Sequence, residues 1–360
     1  MASTTRVITV DPDHPNRADV REAAVVLRAG GLVAFPTETV YGLGANALDR
    51  NAVAGIFIAK GRPSTDPLIV HVSSVGDMTR VARDVPSIAY DVAAAFWPGP
   101  LTLILRKATA VPSEVTAGLD TVGVRMPSHP VARALIELAA VPVAAPSANQ
   151  FSRPSPTRAE HVLADLANRI DVVVDGGPTP IGLESTIVDL TVSPAIVRRP
   201  GGITIEQLAK VLPDASVVTT LLAVDQVQHA PGQLMRHYAP SARLTAYIGD
   251  TAAIAERVAS EIRSSVAAGL RVGVVAPEED LRALAPRLAA IGSTGRVTTR
   301  RCGSRIDHAT IARDLFDALR AVDDEGVDVI FASAPDAPGI GVAIIDRLTR
   351  AAEGRVVRVS

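Results

Sequence analysis

Lys60 and Arg62 stand two positions apart, Arg125 and the pair Arg198-Arg199 each close an apolar run, and Ser147, Asn149, Ser155 and Ser185 follow other such runs. Guanidinium forks and an ammonium, interleaved with hydroxyls and an amide, can hold a polyphosphate where no glycine-rich phosphate loop exists. A second group lies in LVAFPTETVYGLG, residues 32 to 44, where Thr37, Glu38, Thr39 and Tyr41 fall between an apolar run ended by Pro36 and the glycines Gly42 and Gly44. That placement delivers four hydrogen-bonding side chains to the end of a buried strand, where ligands sit in open α/β sheets, though helix-capping hydroxyls in an ordinary loop would read the same way. No nucleophile has an adjacent base, so a reaction here would rest on positioning and charge neutralisation, as nucleotidyl transfer largely does.

The elements that must hold these groups can be read from periodicity. Residues 19 to 29 are helical and stop at Gly30-Gly31, Asp49 caps a helix running to Lys60, and Gly61 and Pro63 end it. An extended LIVHV follows, in which His71 shares a face with Ile69. Strands are expected at 101–106, 122–125, 141–145, 185–190 and 196–199, with a helix after Pro130 and a capping box from Thr157 to Glu160. Strands outnumber long helices there, which predicts a mixed sheet. From Leu244 onward strand and helix alternate regularly, the pattern of a small parallel α/β domain. The stretch from Pro213 to Ser241 loses periodicity and reads as a linker, so the expected division is 1–212, 213–241 and 242–360.

Composition narrows the class. In 360 residues 48% are hydrophobic and only 3% aromatic, so the cores must be built from aliphatic side chains in layers. One cysteine, Cys302, excludes an internal disulfide and a multi-cysteine zinc site, and seven scattered histidines give no metal cluster. The zinc-protease, P-loop, dinucleotide-binding and serine-hydrolase elbow motifs are absent. Two glycine pairs, Gly42/Gly44 and Gly339/Gly341, are explained by turns as well as by phosphate binding. A net charge of -2 gives no footprint for nonspecific nucleic-acid binding, and with no eighteen-residue apolar run and no signal core at the N-terminus the expected setting is cytosolic.

Eight segments in order, FPTETVYGLG, AKGRP with PLIVHV, WPGPLTLIL, TAGLDTVGVRMPSHP, APSANQFSRPSPT, ESTIVDL, RRPG and HYAP, resemble the threonylcarbamoyl-AMP synthases of the YrdC-like family in their long two-domain form. The resemblance implies a YrdC-like twisted mixed sheet with helices around a concave cavity, followed by a smaller Rossmann-like domain. It implies a reaction of L-threonine, bicarbonate and ATP, with Mg²⁺ brought by the triphosphate and pyrophosphate released. The product would pass to a tRNA-modifying transfer complex, with weak or no direct nucleic-acid binding and no membrane.

By the same resemblance Thr39, His71, Arg125, Ala145 (through its backbone) and Ser185 take the threonine. Arg62, Asp66, Thr121, Ser147, Asn149, Ser155, Arg199 and His237 take the nucleotide, Lys60 and Arg62 bear on the reacting phosphate, and Tyr238 joins His237 in the linker. Many two-domain relatives have an aromatic residue where this chain has Met235, so stacking there would be weaker or absent. The linker is expected to close over the pocket as a lid. Two other readings carry different chemistry. An RNA-binding module would call for a basic surface with stacking aromatics, and a carbamoyl-transfer domain of hydrogenase maturation would come with acylphosphatase or zinc-finger segments that this chain lacks.

Overall fold

The computed structural model describes residues 4–218, 228, 230–232, 234, 237–292 and 295–360. The Met235 expectation lies outside these residues. The chain separates into two compact units, one of Met1–Phe151 with Ser155–Leu234, the other of Ser152–Pro154 with Met235–Ser360.

The first unit runs β1 (Arg6–Thr9), α1 (Arg17–Arg28), β2 (Val33–Phe35), β3 (Gly42–Asn46), α2 (Arg50–Lys60), β4 (Ile69–His71), α3 (Met78–Val81), α4 (Ser87–Phe96), β5 (Leu101–Arg106), β6 (Thr121–Arg125) and α5 (Pro130–Ala139). It continues through β7 (Val143–Ala144), α6 (Ala159–Leu166), β8 (Val172–Asp175), β9 (Thr186–Asp189), β10 (Ile196–Arg199), α7 (Ile205–Leu208) and β11 (Ser216–Val217). The described strands form one mixed sheet in the order β1-β8-β2-β3-β7-β4-β6-β5-β9-β10-β11. The mixed sheet follows the sequence reading; β3 does not, because GLGAN carries no strand signal. β3 pairs antiparallel with β2, so the Pro36–Tyr41 loop closes a hairpin instead of leading into a helix. Gly44 is required there by its neighbours: a Cβ would lie 2.8 Å from the Phe35 ring and 2.9 Å from Val143.

Pleating decides what each face carries. Val70, Leu103, Val124, Val188 and Val197 point to one face, where a large aliphatic core also takes in Val53 and Ile56 of α2 and Val92 of α4. On the other face α1 and α5 pack together over Val33, Phe35, Val143, Val172 and Val174. They cover only the half of the sheet from β1 to β7. On the remaining half of that same face stand the alternate residues of β4, β6, β5 and β9, where His71, Arg125 and Thr102 rise among Ile69, Ile104 and Ile187.

One further local expectation needs correction. Thr157 and Glu160 do not form a capping box: α6 starts at Ala159 without a side-chain cap, and the Thr157 N–H donates to Nδ1 of His161. Of the stretch from Pro213 to Ser241, β11 and the described residues from Gln228 to Leu234 fall in the first unit and His237 in the second.

The second unit contains β12 (Arg243–Gly249), α8 (Thr251–Ala267), β13 (Val272–Ala276), α9 (Glu278–Ile291), β14 (Val297–Arg301), α10 (His308–Asp324), β15 (Val329–Ala334), α11 (Ile340–Ala351) and β16 (Val356–Val359). Its sheet is wholly parallel, in the order β14-β13-β15-β12-β16, with α8 packed on α9 and α10 on α11. Tyr238 is buried in this unit, stacked on Phe316 with ring centroids 5.3 Å apart and capped by the Arg347 guanidinium at 5.4 Å. Cys302 is also buried, and burial pushes its thiol well above the usual range.

Candidate active site

The half-face that α1 and α5 leave free is built by register. His71 on β4 lies opposite Arg125 on β6, Arg125 opposite Thr102 on β5, and Thr102 opposite Ile187 on β9, so all four share a face. Gly123, opposite both Ile69 and Ile104, leaves the floor between them without a side chain. β10 joins this face through a bulge. Val197 pairs with Val188 but Arg199 pairs with Ile187, so Arg198 is the extra residue. The bulge changes parity, turning Arg199 to the polar face, while Arg198 forks onto Asp189 at 2.8 and 3.1 Å. Of the two arginines in the RRPG segment, the backbone thus selects the second.

Hydrogen bonds link these groups into one chain. Thr37 Oγ1 donates to the Val40 carbonyl at 2.6 Å and lies 2.8 Å from Thr39 Oγ1, so the Thr39 hydroxyl must be the donor in that pair. Thr39 Oγ1 then accepts from Nη2 of Arg125 at 3.0 Å. Nη2 also donates to Oε1 of Glu38 at 2.6 Å. Nε of Arg125 is buried with no partner among the described residues, as is Nδ1 of His71. Burial, reinforced by the neighbouring Arg125, lowers the His71 pKa to about 3, so the imidazole is neutral at physiological pH. Across the face, Arg199 donates through Nε and Nη2 to the Ser185 carbonyl and through Nη2 to Ser185 Oγ, and that hydroxyl contacts Thr102 at 2.8 Å.

A carboxylate gathers the other cations. Asp66 is fully buried with Arg62 at 2.8 Å, and although burial raises its pKa, Arg62, Lys60 and Arg199 all act against that rise. Lys60, also buried, donates to the carbonyls of Ser147 and Asn149, while Ser147 Oγ donates to Oδ1 of Asn149. Ser155 Oγ donates to the buried carboxylate of Glu184. Thr121 lines a narrow cavity with Pro67, Thr102, Thr116, Gly123 and Pro231. Ala145 gives its N–H to the Ile69 carbonyl, so what it can offer a ligand is its own carbonyl.

The structure therefore brings together the sequence-predicted residues of the first unit, with three of the four key cations bearing on one carboxylate and the fourth, Arg125, beside the Thr102–Ser185–Arg199 chain. His237 belongs to the second unit, where its ring meets Tyr238 at 4.0 Å. Sequence reasoning missed Thr102, Glu184 and, from the linker, Gln228 and Pro231. The Gln228 N–H donates to the Thr65 carbonyl, and the Pro231 carbonyl accepts from Nη1 of Arg199. Alternation in LTLIL could have flagged Thr102 as the polar member of an otherwise apolar strand; nothing local marks the linker residues.

A sheet half-face with convergent cations and hydroxyls, and among the described residues no nucleophile beside a base in the network, suits an enzyme of the nucleotidyl-transfer class. Residues 25–201 match the Sua5/YciO/YrdC family model described as telomere recombination, and residues 203–353 match the model of the threonylcarbamoyl-AMP synthase C-terminal domain. The threonylcarbamoyl-AMP synthase of Pyrococcus abyssi is 44% identical over 94% of this chain and 96% of its own length. That of Bacillus subtilis is 44% identical over 98% of each. The crystal structure of P. abyssi Sua5 complexed with L-threonine superposes with a TM-score of 0.91 at 43% identity, covering 99% of this chain and 100% of that one. This chain belongs to the threonylcarbamoyl-AMP synthase family, in its two-domain form.

Proposed function

We propose that the half-face of the first unit free of α1 and α5 is where this threonylcarbamoyl-AMP synthase joins L-threonine, bicarbonate and ATP into threonylcarbamoyl-AMP and pyrophosphate. The product is the donor for the threonylcarbamoyl group placed on the adenosine beside the anticodon of tRNA. In this reading Thr39, His71, Arg125, the Ala145 carbonyl and Ser185 hold threonine. Lys60, Arg62, Asp66, Thr121, Ser147, Asn149, Ser155 and Arg199 hold ATP, with His237 assigned to the nucleotide by resemblance. The observation that carries it is the chain of contacts from Thr39 through Arg125 and, across one sheet face, Thr102 and Ser185 to Arg199 and the Asp66 cluster.

The chemistry needs orientation and charge more than a protein nucleophile. The threonine amine attacks the carbon of bicarbonate, forming a C–N bond with loss of water. A carbamate oxygen then attacks the α-phosphorus, and the bond to the β-phosphate breaks to release pyrophosphate. Arg125 suits the threonine carboxylate through the donors that Glu38 and Thr39 leave uncommitted, and neutral His71 suits a hydrogen bond without adding charge. Lys60 and Arg62 offset the charge that grows on the α-phosphate oxygens. In this reading a Mg²⁺ arrives with the triphosphate. A tRNA-modifying complex downstream and a cytosolic setting belong to the same reading; among the described residues no helix is long and apolar enough to cross a membrane.

The test is pyrophosphate release from ATP by the full chain. Release should require both threonine and bicarbonate, and valine should substitute poorly because it leaves buried hydroxyl partners unmatched. Release at the same rate without threonine would overturn the reading.

A further inference from the structure

Glu38 sits inside the loop between β2 and β3 and is 5% exposed. Both carboxylate oxygens are committed: Oε1 accepts from Nη2 of Arg125 at 2.6 Å, and Oε2 accepts from the Ser128 N–H at 3.1 Å. Its backbone is fixed too, because its carbonyl accepts from the Ile181 N–H at 3.0 Å, and the next carbonyl, of Thr39, accepts from Gly182 at 3.0 Å. The side chain is therefore held by the end of β6 and the turn after it, and its backbone by the 178–184 loop.

Arg125 differs. It is 4% exposed and carries a charge that must be compensated once it is out of water. Glu38 supplies the compensating charge, and together with Thr39 it uses only Nη2. Nε is left buried with no partner among the described residues. A long flexible arginine becomes a fixed fork, with Nη2 tied down and, among the described residues, Nε left for a ligand.

We infer that Glu38 is a positioning residue for the amino-acid side of the reaction. It locks the Arg125 guanidinium in one orientation so that the remaining donors meet the carboxylate of an incoming α-amino acid without first being ordered. This deepens the proposed function and rests on its assignment of Arg125 to the threonine carboxylate. Ordering the fork in advance removes an entropic cost from binding, so the effect of Glu38 falls on threonine affinity and not on ATP.

The experiment compares Glu38→Ala, Glu38→Gln, Arg125→Ala and the double variant Glu38→Ala/Arg125→Ala in the full chain. KM for threonine, KM for ATP and kcat are measured, with threonine binding by calorimetry and far-UV circular dichroism to establish folding. Glu38→Ala should raise KM for threonine at least tenfold while KM for ATP moves less than twofold. Glu38→Gln keeps an acceptor for Arg125 but opposes an amide N–H₂ to the Ser128 N–H, so it should recover part of the loss. The double variant should be no worse than Arg125→Ala alone, since Glu38 acts through that arginine.

If Arg125→Ala raises KM for threonine while Glu38→Ala leaves it within twofold, the Glu38 inference falls and the site assignment stands. If Arg125→Ala itself leaves threonine binding unchanged, the assignment of Arg125 falls and takes the inference with it. Equal losses for threonine and ATP, or tighter threonine binding by either Glu38 variant, would also overturn the positioning role. Should Glu38→Ala fail to fold, the same criteria apply to Glu38→Gln, with a threefold rise in KM for threonine as the expected result.

Discussion

His71 shows how a single side chain is tuned by its surroundings. Its ring is 3% exposed, edge-on to Phe35 at 6.4 Å and next to Arg125, so both desolvation and a like charge oppose protonation. The folded-state pKa of about 3 lies below the unfolded value of 6.5. Between those values the unfolded chain binds one more proton than the folded one, so this group's contribution is fully present above pH 6.5 and is lost as pH falls toward 3. From pH 7 to pH 5 that loss is about 2 kcal/mol. A His71→Asn variant should lack that component, so the parent-minus-variant difference in unfolding free energy should shrink by about that amount over the same interval in urea titrations. A difference that stays constant with pH would show that His71 titrates normally. Neutral His71 also means that threonine binding should not acquire a pH dependence near 6.5 from this residue.

At the scale of elements, the site depends on backbone devices that side-chain pattern only partly reveals. The helix signals were legible: Asp49 caps α2 through the N–H groups of Asn51 and Ala52, and Gly61 ends it at φ 64. Alternation located β4, β5, β6, β9 and β10, because a buried face forces a period of two. The β2–β3 hairpin escaped because GLGAN is a strand by virtue of what packs over its glycines, which is a tertiary property. The bulge at Arg198 escaped for a related reason: a local pattern cannot say which of two adjacent arginines the register will turn inward. Next in sequence, Gly201 holds RRPG against ESTIVDL, for a Cβ there would lie 2.3 Å from the Glu184 carbonyl oxygen and 2.4 Å from the Ser185 carbonyl carbon. Both obstacles are backbone and cannot swing aside. Gly201→Ala should therefore cost about 3 kcal/mol of stability and lower threonine-dependent pyrophosphate release by displacing Ser185. An unchanged urea midpoint in that variant would show that the two segments have room to part.

For the molecule as a whole, the regular strand-helix alternation after Leu244 made the parallel sheet of the second unit readable, while the segment before it gave no periodicity to read. Its described residues Gln228, Ala230 and Pro231 are nonetheless anchored in the first unit. Ala230 completes an apolar cluster with Ile69, Ile104 and Ile187 on the site face, the Pro231 carbonyl occupies Nη1 of Arg199, and the Gln228 amide bears on Asp66. Gln228 and Pro231 thus engage the carboxylate and the arginine assigned to ATP, as expected of a segment that closes over the nucleotide. Water reaching a carbamate or a mixed anhydride would hydrolyse it, so a cover over this face would protect the intermediates. A chain ending at residue 227 loses these contacts and should form threonylcarbamoyl-AMP at least tenfold more slowly, with ATP hydrolysis uncoupled from product. A chain ending at residue 234 retains them, so comparing the two separates the cover from whatever the second unit contributes. Undiminished synthesis by the 227-residue chain would mean that the half-face works uncovered, and the lid would have no part in the reaction.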